Sequence, residues 1–145
     1  KKKIKKDSEL INDFFKIMKN ENLDFTLSFR NLSKVVQKEK NNFFQKNIKN
    51  VNEINNWFAR WDKRLQQESD EKINISKKMM EINPIYIPRN HIIESTIKSA
   101  LNGDFSKMRE LLILIKKPFT EKKEYKKFTM PPKPNEVISN TFCGT

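Results

Sequence analysis

Asn83-Pro84-Ile85-Tyr86-Ile87-Pro88-Arg89-Asn90-His91 is the stretch from which the rest of the chain can be organised. Two prolines bracket it, and a residue that precedes proline is pushed out of the helical region. A helix arriving from Ser76 to Ile82 therefore stops at Asn83-Pro84, and residues 83–90 run extended. Helix resumes near Asn90, where Ile92, Ile93, Ile97, Ala100 and Leu101 follow helical spacing and predict one buried face. Asn102-Gly103 supplies a left-handed C-cap, and Asp104 can cap the next helix at once, so a tight helical hairpin is expected. Phe105, Met108, Leu111, Leu112 and Ile115 mark the face of its second helix, which Pro118 closes.

Working outward, Val51, Ile54, Trp57, Phe58, Trp61 and Leu65 form a wide apolar stripe, with Arg60, Asp62, Lys63 and Arg64 largely away from it. Phe25, Phe29, Leu32 and Val36 recur at steps of four, three and four behind a cap at Asp24 or Thr26. Leu10, Ile11, Phe14, Phe15, Ile17 and Met18 define a first helix, capped by Asp7 or Ser8 and ended by Asn20-Glu21-Asn22. Residues 1–6 read as a disordered basic lead, and 37–50 as a polar loop or short helix. From Phe119 onward there is no helical period, lysines cluster, and Pro131, Pro132 and Pro134 intervene, which predicts an extended tail ordered only against another surface. The expected fold is all-α: about six helices over residues 1–118, then a tail over 119–145.

A chain of 145 residues can bury a core without disulfides or metal. Only 2 glycines argue against a loop-rich β fold and against a Gly-rich phosphate cradle. No apolar run approaches the length of a membrane span. Lys plus Arg is 30 against 18 Asp plus Glu, a net charge of +12. Such an excess attracts polyanions. It is also what solvated lysines in a Lys-, Asn- and Ile-rich composition produce, and their even spread argues against a helix lying on a membrane. A chain that opens on Lys1-Lys2-Lys3 without Met is expected to be processed or to be part of something longer.

Catalytic constellations are sparse. His91 has no second His or Cys at metal spacing, so a surface or capping histidine outweighs a ligand or base. Cys143 is the one cysteine; it makes no internal bridge, and nothing in the sequence brings it to His91. Asp24, Asp62, Asp70 and Asp104 are isolated, with Asp24 and Asp104 reading as caps. Trp57, Phe58 and Trp61 beside Arg60, Lys63 and Arg64 could stack on bases. Aromatics at such spacing are more often the core face of a helix. Read from its residues alone, the chain is a helical module with no catalytic or cofactor-binding residue and no metal ligand of its own.

The Asn83–His91 segment and the residues after it resemble the C-terminal signature of the SelO (YdiU) family. That signature runs as Asn-Pro-x-aromatic-aliphatic-Leu-Arg-Asn, a helix, Gly-Asp-Phe, a second helix, and Pro before an aromatic. Gly103-Asp104-Phe105 and Pro118-Phe119 stand at the matching places. The Trp57-to-Leu65 helix resembles the family's Trp-rich helix, and Asp24 to Leu32 its Asp-Tyr-Thr-x-x-Phe-Arg-x-Leu stretch. Pro131-Pro132 and Cys143, third from the end, also match. Pro88 replaces the usual Leu, Pro134 a usual Trp, and Gly144-Thr145 a Ser-Ser-like ending, while residues 37–50 match weakly.

The resemblance implies that the chain packs on a kinase-like (pseudokinase) core absent from it. It implies AMP transfer from ATP, with Mg2+, to Ser, Thr or Tyr of protein substrates, with ATP and metal bound outside this chain. It gives Cys143 a redox role, bridging to a core cysteine, beside the plainer reading of a free terminal thiol. Asn83, Arg89 and Asn90 become a structural motif loop in which Arg89 and Asn90 bond backbone carbonyls or the core rather than substrate. Location would be cytoplasmic in a bacterium and mitochondrial in a eukaryote, with no membrane. The alternative is a non-catalytic SelO-like module serving as a structural subunit of a larger assembly, with RNA among the components such an assembly could contain; the +12 charge leans that way, although nucleic acid is not the favoured partner.

Overall fold

A computed structural model describes residues 2–37 and 42–138, with side chains from residue 6 onward; Cys143 lies outside the described residues. Helices and 3-10 turns are the regular elements found among them, in keeping with the all-α expectation. Contacts gather into two compact units, Lys1–Asn83 and Pro84–Thr145. None of the described helices is long and apolar enough to cross a membrane.

The first unit holds α1 (Lys2–Asn20), α2 (Phe25–Val36), α3 (Phe43–Asn47), α4 (Val51–Leu65) and α5 (Lys72–Ile82). α1 packs on α4, and α2 packs on α5. Phe14, Ile17, Met18, Leu32, Phe44, Ile48, Ile54 and Trp57 form its core. Phe14 stacks on Trp57 with ring centroids 4.5 Å apart and meets Phe29 edge-on at 5.6 Å. Such aromatic pairs add about 0.5–1.5 kcal/mol each beyond their buried area. The Trp57 indole N–H donates to the Leu10 carbonyl at 2.8 Å, so its polar atom is satisfied inside the core.

Elsewhere in this unit the close contact is made by small and polar side chains. Ser28, Ser33 and Ser76 have no exposed surface. Ser76 Oγ donates to the Ser33 carbonyl at 2.6 Å and accepts from Gln37 Nε2 at 2.7 Å, tying α5 to α2. The Arg30 guanidinium, 4% exposed, donates through Nη1 to the carbonyls of Met80 (2.7 Å) and Asn83 (3.0 Å). It places a cation where α5 ends and its carbonyls lack helical donors.

Three expectations are corrected here. α1 starts at Lys2 and not after a cap at Asp7 or Ser8, so the helix takes in part of the expected disordered lead. Asp7 is used differently: Arg64 of α4 grips it through Nε–Oδ1 (2.7 Å) and Nη2–Oδ2 (3.2 Å). α5 begins at Lys72, a turn before Ser76. On α2, Leu32 and Val36 are buried, but Phe25 is 61% exposed. It opens the helix, where it lies against Phe15 and Phe29 at the edge of the core.

The second unit holds α6 (Asn90–Leu101) and α7 (Ser106–Lys116), followed by 3-10 turns at Lys123–Thr129 and Pro134–Glu136. The hairpin turn forms as its residues dictate. Gly103 takes φ 81°, its N–H reaches the Ala100 carbonyl at 2.9 Å, and Asp104 Oδ1 accepts from Ser106 N–H at 2.9 Å. The expected buried faces are corrected. α6 buries Ile92 and Thr96 while leaving Ile97 47% and Leu101 82% exposed. α7 buries Leu111 and Leu114, and Phe105, Met108, Leu112 and Ile115 stay exposed. Each apolar stripe is wider than one contact can cover, and the buried residues lie along one margin of it. Within the expected tail, Phe128 and Thr129 are buried.

Candidate functional site

Asn83 to His91 is built mainly from backbone partners. Asn83 closes α5: its N–H and its Nδ2 both reach the Met79 carbonyl, at 3.0 and 2.8 Å. The N–H groups of Ile85 and Tyr86 both donate to the Pro118 carbonyl, at 2.8 and 3.2 Å. The buried Tyr86 hydroxyl accepts from Lys122 N–H at 2.9 Å and donates to the Lys122 carbonyl at 3.2 Å. The prolines spare the segment two N–H groups, and Pro118 and Lys122 satisfy those of its buried middle. Arg89 is 8% exposed and stands at the start of α6, where its carbonyl accepts from Ile92 and Ile93 N–H, both at 2.9 Å. Asn90 is the exposed first residue of α6.

His91 is half-buried on the next position and lines a cavity of about 480 Å3 with Ser95, Lys107, Lys127, Lys133 and Glu136. Burial holds its imidazole below the ordinary histidine range, opposed by the nearby Glu136 carboxylate and assisted by Arg89. Asp104, expected as a cap, is held below the usual carboxylate range by the Ser106 hydroxyl and N–H. Among the described residues no three His, Cys, Asp or Glu side chains come together as a metal site.

Two hollows lie in the first unit. One, of about 530 Å3, opens between the α1–α4 pair and the α2–α5 pair and is walled by Phe14, Phe29, Trp57, Trp61 and Met79. The other, of about 520 Å3, lies along α1 and α4 and is lined by Lys6, Asp7, Glu9, Arg60, Lys63 and Arg64. Its arginines are engaged: Arg60 pairs with Asp13 at 2.8 Å, and Arg64 with both Asp7 and Glu68. Trp57 is 4% exposed, and the partly buried Phe58 and Trp61 pack against the core, as the core-face reading of this aromatic set expects. The cavity at His91 was not legible in the sequence, because Ser95, Lys107 and Lys133 belong to three separate elements. The sole hint was the i, i+4 spacing of His91 and Ser95 on one helical face.

A family model described as protein adenylyltransferase SelO matches residues 1–116. Among curated proteins, the chain is 36% identical over 138 residues to the protein nucleotidyltransferase YdiU of Maridesulfovibrio salexigens, a match covering 94% of this chain and 28% of that protein. It is 35% identical over 141 residues to the YdiU of Rhizobium etli, covering 96% of this chain and 28% of the relative. Over 139 residues it is 34% identical to the YdiU of Clostridium perfringens, covering 96% and 27% respectively. The chain thus spans little more than a quarter of the length of the relatives it matches.

Proposed function

The chain belongs to the SelO family of protein adenylyltransferases, and from that premise we propose that it is the C-terminal region of an enzyme that transfers AMP from ATP to Ser, Thr or Tyr hydroxyls of other proteins. The observation that carries this reading is the match along 94% of the chain to a protein nucleotidyltransferase of which it spans only 28%. Among the described residues no three His, Cys, Asp or Glu side chains come together, and the chain's 2 glycines offer no Gly-rich phosphate loop, which supports placing ATP and Mg2+ elsewhere. The proposal therefore assigns nucleotide, metal and every chemical step to a kinase-like core outside this chain, and no residue here is catalytic.

In this reading the chain's contribution is positional. α6 and α7 leave Ile97, Leu101, Phe105 and Leu112 in contact with solvent, and these would form the surface that packs on the core. Cys143 would be a redox element, bridging to a core cysteine and restricting the tail when oxidised. The motif loop of Asn83, Arg89 and Asn90 would act structurally, setting the entry to α6.

The test is the source polypeptide. Its intact mass and peptide coverage upstream of Lys1 should reveal kinase-like sequence, and the whole protein should label protein hydroxyls from ATP carrying a tagged adenylyl group. A mass equal to the 17.4 kDa of this chain would overturn the enzyme reading. It would leave the second reading, a structural subunit, which the +12 charge favours and which RNA binding with a steep salt dependence would support. Cys143→Ser should abolish any reductant-sensitive gel mobility of the whole protein; an unchanged shift would remove the redox role.

A further inference from the structure

The cavity beside His91 is assembled from three elements that converge on it. α6 supplies His91 and Ser95, α7 supplies Lys107, and the segment after α7 supplies Lys127, Lys133 and Glu136. Its apolar lining includes Ile92 and Phe128, 9% and 6% exposed, and the more open Met130. The charges are arranged unevenly. Lys127 is taken up by Glu110 at 3.0 Å. Glu136 turns a carboxylate oxygen to the Lys133 backbone N–H at 2.9 Å, closing its own 3-10 turn. Lys107 donates to a neutral group, the Ser95 hydroxyl, at 2.9 Å. Among the described residues neither the Lys107 nor the Lys133 ammonium is drawn into an ion pair with a carboxylate.

Two ammonium groups without a direct ion pair and a hydroxyl meet on one small concavity. Asp104 acts on Lys107 from a distance and the Glu136 carboxylate shares the lining, yet the three lysines outnumber it, which suits a compact dianion. Ser95 Oγ can accept from Lys107 while turning its own O–H to a ligand oxygen, and a phosphate monoester offers three acceptor oxygens with a charge near −2. A carboxylate brings one charge and two oxygens. A phosphodiester polymer spreads one charge per residue along its length, whereas the polar groups here converge on one hollow of about 480 Å3. We propose that the cavity bounded by Ser95, Lys107 and Lys133 binds a small phosphate monoester, gripped by the two lysines and the serine hydroxyl while the body of the molecule rests on Ile92 and Met130. This inference does not rest on the adenylyltransferase reading, and either can fail alone.

The 145-residue chain titrated with inorganic phosphate, and separately with AMP, at constant ionic strength, followed by backbone amide NMR, tests it. Saturable shifts should be confined to His91, Ser95, Lys107, Lys133 and their neighbours. A Lys107→Ala/Lys133→Ala chain should bind phosphate about tenfold more weakly or worse, and Ser95→Ala, which keeps both charges, by a smaller factor. Lys98→Ala, an exposed lysine of α6 that does not line the cavity, should bind as the parent does. The absence of saturable shifts would overturn the proposal. So would shifts scattered over lysines throughout the chain, or a Lys98→Ala loss as large as the double variant's. Tighter binding of a phosphodiester oligonucleotide, indifferent to Lys107 and Lys133, would also overturn it and assign the charge to a diffuse nucleic-acid surface.

Discussion

Among the described residues, the first unit gathers most of its aromatic rings around one buried cluster, whereas the second leaves Ile97, Leu101, Leu112, Ile113, Ile115 and Val137 in water. Phe14 is 2% exposed and touches Phe29, Phe44 and Trp57; Leu101, equally apolar, is 82% exposed. The difference is geometric. Four helices paired as α1–α4 and α2–α5 can turn apolar stripes toward one another. A two-helix hairpin has one shared margin, so much of each stripe finds no partner within the unit. The second unit makes up for part of this with backbone closure: the Pro118 carbonyl and the Tyr86 hydroxyl join residues far apart in sequence. The first unit joins an aromatic core to polar ties between α2 and α5, and the second rests on a smaller set of buried residues, Ile85, Tyr86, Ile92, Leu111, Leu114 and Phe128, together with its backbone ties.

The largest test of that contrast is Trp57→Ala. It removes the ring stacked on Phe14 and the bond to Leu10, and should cost about 3–5 kcal/mol of stability by urea denaturation. A loss below about 1 kcal/mol would mean that the ring cluster is not the main support of residues 1–83. Arg30→Ala should follow at about 2–3 kcal/mol, because the Met80 and Asn83 carbonyls lose a charged donor. Amide exchange near the end of α5 should accelerate with it; unchanged protection there would sink the capping role. Tyr86→Phe should cost about 1 kcal/mol and expose the amides of Ile85, Tyr86 and Lys122, with those of α1 and α4 unaffected.

Acid should separate the two regions more gently. His91, Asp13 and Glu21 all have pKa values lowered in the folded chain, by burial, by Arg60, and by the Lys49 and Asn50 N–H groups respectively. The unfolded chain therefore holds each proton more readily, so stability is present above the unfolded pKa and is lost as pH falls. For His91 that loss begins below its ordinary 6.5, and for Asp13 and Glu21 only below 3.8 and 4.5. Amide exchange at a pH between these ranges should show residues 84–145 loosened while 1–83 hold, and His91→Gln should abolish the difference. The smallest effect is expected from Leu101→Gln, within about 0.5 kcal/mol for this chain alone. A larger loss would mean that the exposed face is covered within the chain itself.

How far the sequence could be read follows the same contrast. Local signals were legible: Asp24 accepts from Leu27 N–H at 2.8 Å, Asn20-Glu21-Asn22 ends α1 with Asn22 at φ 51°, and Asn102-Gly103-Asp104 turns as expected. Each depends on residues within a turn of one another. Hidden partners lay far along the chain. Asp7 reads as a cap until Arg64 arrives from 57 residues away, and nothing local announces that Ser76 bonds the Ser33 carbonyl. The buried faces of α6 and α7 were misjudged because hydrophobic spacing reports which residues share a side, and says nothing about whether that side has a neighbour. At the candidate cavity, His91 and the lysines were visible individually, but their convergence depends on how the segment after α7 returns to α6.

The placement of the aromatic residues also divides the molecule optically. Both tryptophans, Trp57 and Trp61, lie 5.3 Å apart in residues 1–83, and both tyrosines, Tyr86 and Tyr125, lie in residues 84–145. Light absorbed by indole alone therefore reports on the first region, while the phenols of the second add to the shared band at shorter wavelength. Without any added label, light at the red edge of the indole band follows the first half by itself, and the phenol absorption that overlies the indole band at shorter wavelength adds the second.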